Sequence, residues 1–126
     1  VGLGICPGFS GTVRMAKLLG PGKAKELIFT GRVIGAAEAL EIGLVNSVVK
    51  QEEIMDKAME MAGMIAAKAP FAVKYSKEAI NNAMDFDSEK SIEMENILFG
   101  KCFSTEDQKE GMAAFLAKRK PLFTNK

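Results

Sequence analysis

Apolar and polar positions recur with a helical period over most of this chain. The clearest case is 51–68. There Ile54, Ala58, Met61 and Ile65 fall at i, i+4, i+7 and i+11, with Asp56, Lys57, Glu60 and Lys68 mainly off the stripe. Pro70 ends that segment and suits the first turn of the next. Residues 71–84 then read as a helix with Val73, Ser76, Ile80 and Ala83 facing inward. A polar break at 85–88 offers Asp87 or Ser88 as N-cap. Beyond it, 89–103 carries Ile92, Asn96, Phe99 and Phe103 at helical spacing. Ser104-Thr105-Glu106-Asp107 is a near capping box, with Asp where Glu or Gln is usual. It predicts a last helix to about residue 118, bearing Met112, Phe115 and Leu116. Gly111 inside that helix costs roughly 1 kcal/mol relative to Ala, which implies close packing there.

The first fifty residues are more mixed. Val13, Met15, Ala16, Leu18 and Leu19 predict a short helix stopped by Gly20-Pro21-Gly22. A second runs over 23–29 with Ala24, Leu27 and Ile28 on one face, and Gly31 ends it. Residues 32–34 suit a short extended piece, and 36–42 a helix closed by Gly43. The stretch 44–49 is rich in β-branched residues and predicts a strand. A lone strand leaves its backbone groups unpaired, so it pairs either with Val33-Ile34 or with strands from a segment not present here. The fold class expected is α/β, mostly helical, with a mixed part over 1–49 and an all-helical part over 50–126.

The opening, Val-Gly-Leu-Gly-Ile-Cys-Pro-Gly-Phe-Ser-Gly-Thr, holds four glycines and a proline ahead of the first helix. Such a loop can hold an anion, a water or a polarised oxygen on free N–H groups, or it can be a turn whose glycines only permit a tight path. Gly2-Leu3-Gly4-Ile5-Cys6-Pro7 begins like a dinucleotide fingerprint, but proline replaces the third glycine and no strand precedes it. Gly11-Thr12 lacks the lysine of a phosphate-binding P-loop.

Composition narrows the field. With 126 residues, 48% hydrophobic and 26% charged, the chain is a globular domain with a core. Seventeen basic against sixteen acidic residues argue against a nucleic-acid partner. There is no histidine, and Cys6 and Cys102 are the only cysteines. No metal site is expected, and two distant cysteines fit a reducing cytoplasmic compartment. No apolar run approaches a membrane span, and the N-terminus lacks the pattern of a signal peptide. Glu52, Glu53, Glu60, Glu89 and Glu93 fall on polar helix faces. Lys118-Arg119-Lys120 closes the last helix, where dipole complementarity and phosphate binding explain it equally well.

The residues resemble the crotonase (enoyl-CoA hydratase/isomerase) family. Gly4-Ile5-Cys6-Pro7-Gly8-Phe9-Ser10-Gly11-Thr12-Val13-Arg14-Met15 is similar to the family's Pro-Gly-x-Gly-Gly-Thr-Gln-Arg-Leu segment. Thr30-Gly31-Arg32, then Ala36-Ala37-Glu38-Ala39 and Gly43-Leu44-Val45-Asn46, is similar to its "TG…A-x-E-A…GLVN" run. Ala69-Pro70, Lys74, Lys77 and Ala79 also fit. The C-terminal stretch from Phe103 to Phe115, with Lys118-Arg119-Lys120-Pro121, resembles bacterial enoyl-CoA hydratases and short-chain 3-hydroxyacyl-CoA dehydratases. Ser10 and Val13 depart from the glycine and glutamine common at their positions.

The resemblance implies the C-terminal portion of a ββα-spiral crotonase fold: 1–49 would end the spiral core and carry an active-site loop, and 50–126 would form the helical trimerisation region. It implies reversible addition of water to a trans-2-enoyl-CoA, with no cofactor and acyl-CoA as substrate. Both catalytic glutamates would lie upstream, the second in a Pro-Glu pair directly before Val1, so this chain alone would be inactive. Gly8 matches the glycine whose N–H helps hold the attacking water, and Leu3 matches a position lining the acyl pocket. Phe115 and Lys118 match positions reaching the CoA nucleotide, though a core aromatic and a helix-dipole partner are equal readings. A homotrimer or dimer of trimers, with no nucleic-acid or membrane partner, is implied for the full-length protein. A non-catalytic helical oligomerisation module, or an isomerase of the same family, would also suit these residues.

Overall fold

The computed structural model describes all 126 residues and contains six α-helices and no strands. It divides into two compact units, Val1–Glu53 and Ile54–Lys126.

In the first unit, α1 spans Gly11–Thr30 and α2 spans Ala36–Glu41. Two helices were expected where α1 lies, and the break between them survives as a kink. Gly20 leaves helical geometry at φ 78° and ψ 160°, and Pro21 opens the second limb with its fixed φ. That limb buries Ala24 and Leu27, and α2 buries Ala39. Gly31 caps α1 with a left-handed φ of 62°. Beyond it Arg32 turns back to form ion pairs with both Glu26 on α1 and Glu38 on α2. The Thr-Gly-Arg and Ala-x-Glu-Ala motifs are thus one clamp holding two helix ends together.

The predicted strand at 44–49 does not form, and the α/β class is corrected to all-helical. Gly43, at φ 77°, ends α2 in a Schellman turn, in which the Leu44 N–H donates to the Ala39 carbonyl at 2.8 Å. The Val45 N–H donates to the same carbonyl at 3.3 Å. The first residues of the expected strand therefore complete a helix end. The rest forms no ladder, because β-branched residues favour a strand only where a neighbour can pair with it.

A short 3₁₀ turn at Gln51–Glu53 ends the first unit, and the second begins with α3, Ile54–Ala66. It is followed by α4 (Pro70–Asp85), α5 (Ser88–Cys102) and α6 (Glu106–Leu116). Only α4 and α5 pack along their lengths. The buried face of α5 is not the predicted one. Leu98 is 2% exposed, with Ser91, Met94 and Cys102 half-buried beside it, while Ile92, Phe99 and Phe103 are more than half exposed. On α4, Tyr75 and Ala79 are half-buried and line a cleft with Leu98 and Cys102 of α5; the predicted Ser76 and Ile80 line it too but stay exposed, as does Ala83. Asp87 caps α5 by accepting from the Lys90 N–H at 2.9 Å.

The cap of α6 sits one residue later than expected. Thr105 Oγ1 accepts from the Gln108 N–H at 3.1 Å, so the box is Thr-x-x-Gln, and Ser104 Oγ instead donates to the Lys101 carbonyl. Asp107 is freed for another task. Although 2% exposed, it accepts the Thr124 and Asn125 N–H groups at 2.7 and 2.9 Å and ties the C-terminal tail to the helix start. At Gly111 an added Cβ would lie 3.5 Å from the Phe123 ring, an ordinary van der Waals contact, so the close packing expected there is not what requires glycine.

Candidate functional site

The loop ahead of α1 is built from successive tight turns. The Gly4 N–H donates to the Val1 carbonyl and the Gly11 N–H to the Gly8 carbonyl, each at 2.9 Å. Gly4 takes a φ of 74°, and Phe9 and Ser10 take φ values of 51° and 64°, so two consecutive non-glycine residues are left-handed. Ser10 is the N-cap of α1 without a side-chain cap bond.

Gly8 has neither a positive φ nor a crowded Cβ position: an added Cβ meets nothing within 4 Å. The chain itself thus gives no internal reason for glycine at that point. The site residues expected on this loop are turned outward. Leu3 is 89% exposed, Gly8 is exposed, and Phe9 is entirely exposed.

Phe115 and Lys118 close α6 in the second unit. Phe115 is 79% exposed within this chain. Lys118 occupies the left-handed position of a Schellman turn at φ 52°. Its own N–H donates to the Phe115 carbonyl at 3.1 Å, and the Arg119 N–H donates to the Ala114 carbonyl at 3.0 Å. Leu3 and Gly8 belong to one unit and Phe115 and Lys118 to the other.

The polar groups around the α6 end are already paired with one another. Arg119 grips Glu110 bidentately at 2.6 and 2.8 Å, and the Leu122 N–H adds a third bond to the same carboxylate. Arg119 first, and the Leu122 N–H second, hold the Glu110 carboxyl down to about 2. Elsewhere Glu26 is lowered by Lys23 and then Arg32, Glu38 by Arg32, and Glu60 by Lys57. Every carboxylate displaced in its titration is displaced downward by a cation. General acid–base work instead calls for a carboxyl raised toward neutral pH. No group of three or more His, Cys, Asp or Glu residues is arranged to hold a metal. No helix is long and apolar enough to cross a membrane.

The residues missed in the sequence are Asp107, the Glu110–Arg119 pair and the Arg32 clamp. Arg32 lay inside a recognised motif, and its spacing of six residues from both Glu26 and Glu38 is a weak signal for pairing. Asp107 carried no signal, because the tail that covers it returns from seventeen residues away.

Comparison with known proteins covers the chain from end to end. The family model for enoyl-CoA hydratase/isomerase matches residues 1–126. The chain is 56% identical over 120 residues to the short-chain-enoyl-CoA hydratase of Clostridium acetobutylicum, covering 95% of this chain and 46% of that protein. It is 52% identical over 126 residues to the crotonyl-CoA hydratase of Syntrophomonas wolfei, covering all of this chain and 48% of that one. Among solved structures, an enoyl-CoA hydratase from Geobacillus kaustophilus superposes with a TM-score of 0.91 at 45% identity, covering 99% of this chain and 49% of its own. The chain spans about half the length of the relatives it matches.

Proposed function

The chain belongs to the enoyl-CoA hydratase/isomerase family, and from that premise we propose that it carries the water-facing and nucleotide-facing part of a short-chain enoyl-CoA hydratase. The observation supporting this most is its 52–56% identity to short-chain-enoyl-CoA and crotonyl-CoA hydratases. In this reading the Gly8 N–H, which has no acceptor within the chain, helps hold the water that attacks C3 of a trans-2-enoyl-CoA. A proton is delivered to C2 and the water loses one, so that H and OH add across the double bond. Leu3 lines the acyl pocket. Phe115 and Lys118 reach the CoA nucleotide, with the lysine ammonium suited to a phosphate.

The acid and base are glutamates supplied by the part of the family fold that these 126 residues do not span. None of the carboxylates described above can replace them, since those with displaced titrations are locked in ion pairs. The working assembly is a homotrimer or dimer of trimers acting in the cytoplasm, without a cofactor. Each missing acid–base group removes roughly 10²–10⁴ in rate. The purified chain is therefore expected to leave crotonyl-CoA unhydrated, and co-expression with an N-terminal half of a relative to restore turnover to 3-hydroxybutyryl-CoA. Appreciable turnover by the chain alone overturns this reading. Double-bond migration without hydration in the restored enzyme would favour an isomerase.

A further inference from the structure

Residues 117–126 double back along α6 and are pinned to it at successive points. The Glu110 carboxylate takes the Arg119 guanidinium at 2.6 and 2.8 Å and the Leu122 N–H at 2.8 Å. The Phe123 ring lies against Gly111, and Asp107 accepts the Thr124 and Asn125 N–H groups. The turn that joins α6 to this return carries three cations, Lys118, Arg119 and Lys120. Only Arg119 is paired; the Lys118 and Lys120 side chains are exposed and make no ion pair.

Lys118 sits at φ 52°, a left-handed backbone that suits glycine and strains a lysine. A cation that only complemented the α6 dipole could do so from anywhere in the last turn and would not need that position. An outlier of this kind points to work done by the side chain.

The peptide around Lys118 is anchored on both sides. Its own N–H donates to the Phe115 carbonyl at 3.1 Å, and the Arg119 N–H donates to the Ala114 carbonyl at 3.0 Å. The Arg119 guanidinium, besides gripping Glu110, donates to the Lys120 carbonyl at 3.2 Å. Arg119 and Glu110 also cancel each other's charge, so the positive charge offered to a ligand comes from the two lysines.

We propose that Glu110 and Arg119 are a positioning pair: they fix the turn so that the Lys118 ammonium stands ready for a phosphate of the CoA nucleotide. The proposal rests on the functional reading above. A lysine is a point charge on a flexible stem, and fixing its backbone beforehand lowers the ordering cost of binding. The pair therefore controls affinity for the nucleotide and not the chemistry at C2 and C3.

The test joins the N-terminal half of the Clostridium acetobutylicum relative ahead of Val1 in one chain, and measures CoA affinity by calorimetry beside hydration kinetics. Glu110→Gln with Arg119→Gln removes the ion pair without changing net charge. It is expected to raise the Kd of CoA and the KM for crotonyl-CoA about tenfold. Both kcat and the KM for crotonyl-pantetheine, which lacks the nucleotide, should stay within about twofold. Arg119→Lys, which keeps one ion pair, should recover part of the affinity. Lys118→Met should weaken CoA binding by itself, and in that background the two glutamines should add nothing, because a pair acting through Lys118 has nothing left to position. On the 126-residue chain itself, the amides of 118, 119 and 122 should exchange about tenfold faster in the double-glutamine variant.

Unchanged exchange at those amides, unchanged CoA affinity, an equal loss with crotonyl-pantetheine, or an equal loss when Lys118 is already methionine would each overturn the proposal. Absence of CoA binding by the joined chain would overturn both it and the functional reading. CoA binding that depends on Lys118 and on the pair, in a protein that hydrates no crotonyl-CoA, sinks the hydratase reading alone. Hydration of crotonyl-CoA indifferent to the pair sinks the positioning role alone.

Discussion

Asp107 and Glu110 lie three residues apart on α6, and between them accept the backbone N–H groups of Leu122, Thr124 and Asn125. The tail is thus held by carboxylates rather than by a strand or helix of its own. Glu110 also makes that attachment sensitive to acid. Its carboxyl is lowered from 4.5 to about 2 in the folded chain, so its stabilising contribution is complete above the unfolded value and is lost as pH falls through the folded one. Glu110→Gln should therefore melt at a lower temperature than the wild type at neutral pH, and the gap should close between pH 4.5 and about 2. Glu26 and Glu38 are displaced in the same direction and remain in both proteins, so the difference between the two melting curves isolates Glu110. A gap that stays constant across that window would show that the pair contributes nothing linked to protons. Lys118 offers a second residue-scale expectation. A lysine at φ 52° carries a left-handed strain of about 1 kcal/mol that glycine does not. Lys118→Gly should raise stability in urea by up to about 1 kcal/mol, while weakening CoA binding in the restored enzyme if the lysine meets the nucleotide.

At the scale of elements, helix positions were legible from periodicity and punctuation, while helix facing was not. Gly20-Pro21, Gly31, Gly43 and Asp87 end or start helices where their backbone chemistry dictates, because these effects are local to a few residues. The facing of α5 depends on what lies opposite. Its sequence carries two stripes, Ile92-Asn96-Phe99-Phe103 and Ser91-Met94-Leu98-Cys102, and α4 selects the second. The rejected stripe holds the larger aromatics, and Phe99 and Phe103 stack edge-to-face at 5.1 Å on the exposed side. Leu98→Ala should cost about 2–4 kcal/mol in urea unfolding, and Phe99→Ala far less in the chain alone; the reverse order would mean that α5 is turned the other way in solution. The α6 cap failed as a reading for a different reason, since Ser104 and Thr105 both fit the pattern and only the turn geometry separates them. Thr105→Ala should cost about 1 kcal/mol, and Ser104→Ala clearly less. The stretch 44–49 was expected to pair with Val33-Ile34 or with strands of a segment not present here, and within this chain no strand forms at either place. The roles expected of Gly8 and Leu3 rest on the resemblance alone, as nothing in Gly8's own backbone requires glycine.

At the scale of the whole molecule, the decisive quantity is how little surface the chain removes from water. An unfolded chain of this mass exposes roughly 19,700 Å², so the 9896 Å² that remains exposed means about half is buried, against about two-thirds for a compact domain of this size. Heat capacity reports that difference directly, because exposing apolar surface raises it. For 126 residues a compact domain would show a heat-capacity change of about 1.5–1.9 kcal/mol/K on unfolding. In proportion to its burial, this chain should show about three-quarters of that. Calorimetry of the purified chain checks the value, and repeating it on the complex with the N-terminal half extends the test. If the two halves share one core, the complex should exceed the sum of the separate values. A simple sum would mean that the halves touch without merging. A full-sized value for the chain alone would mean that it already closes over its own apolar surface in solution.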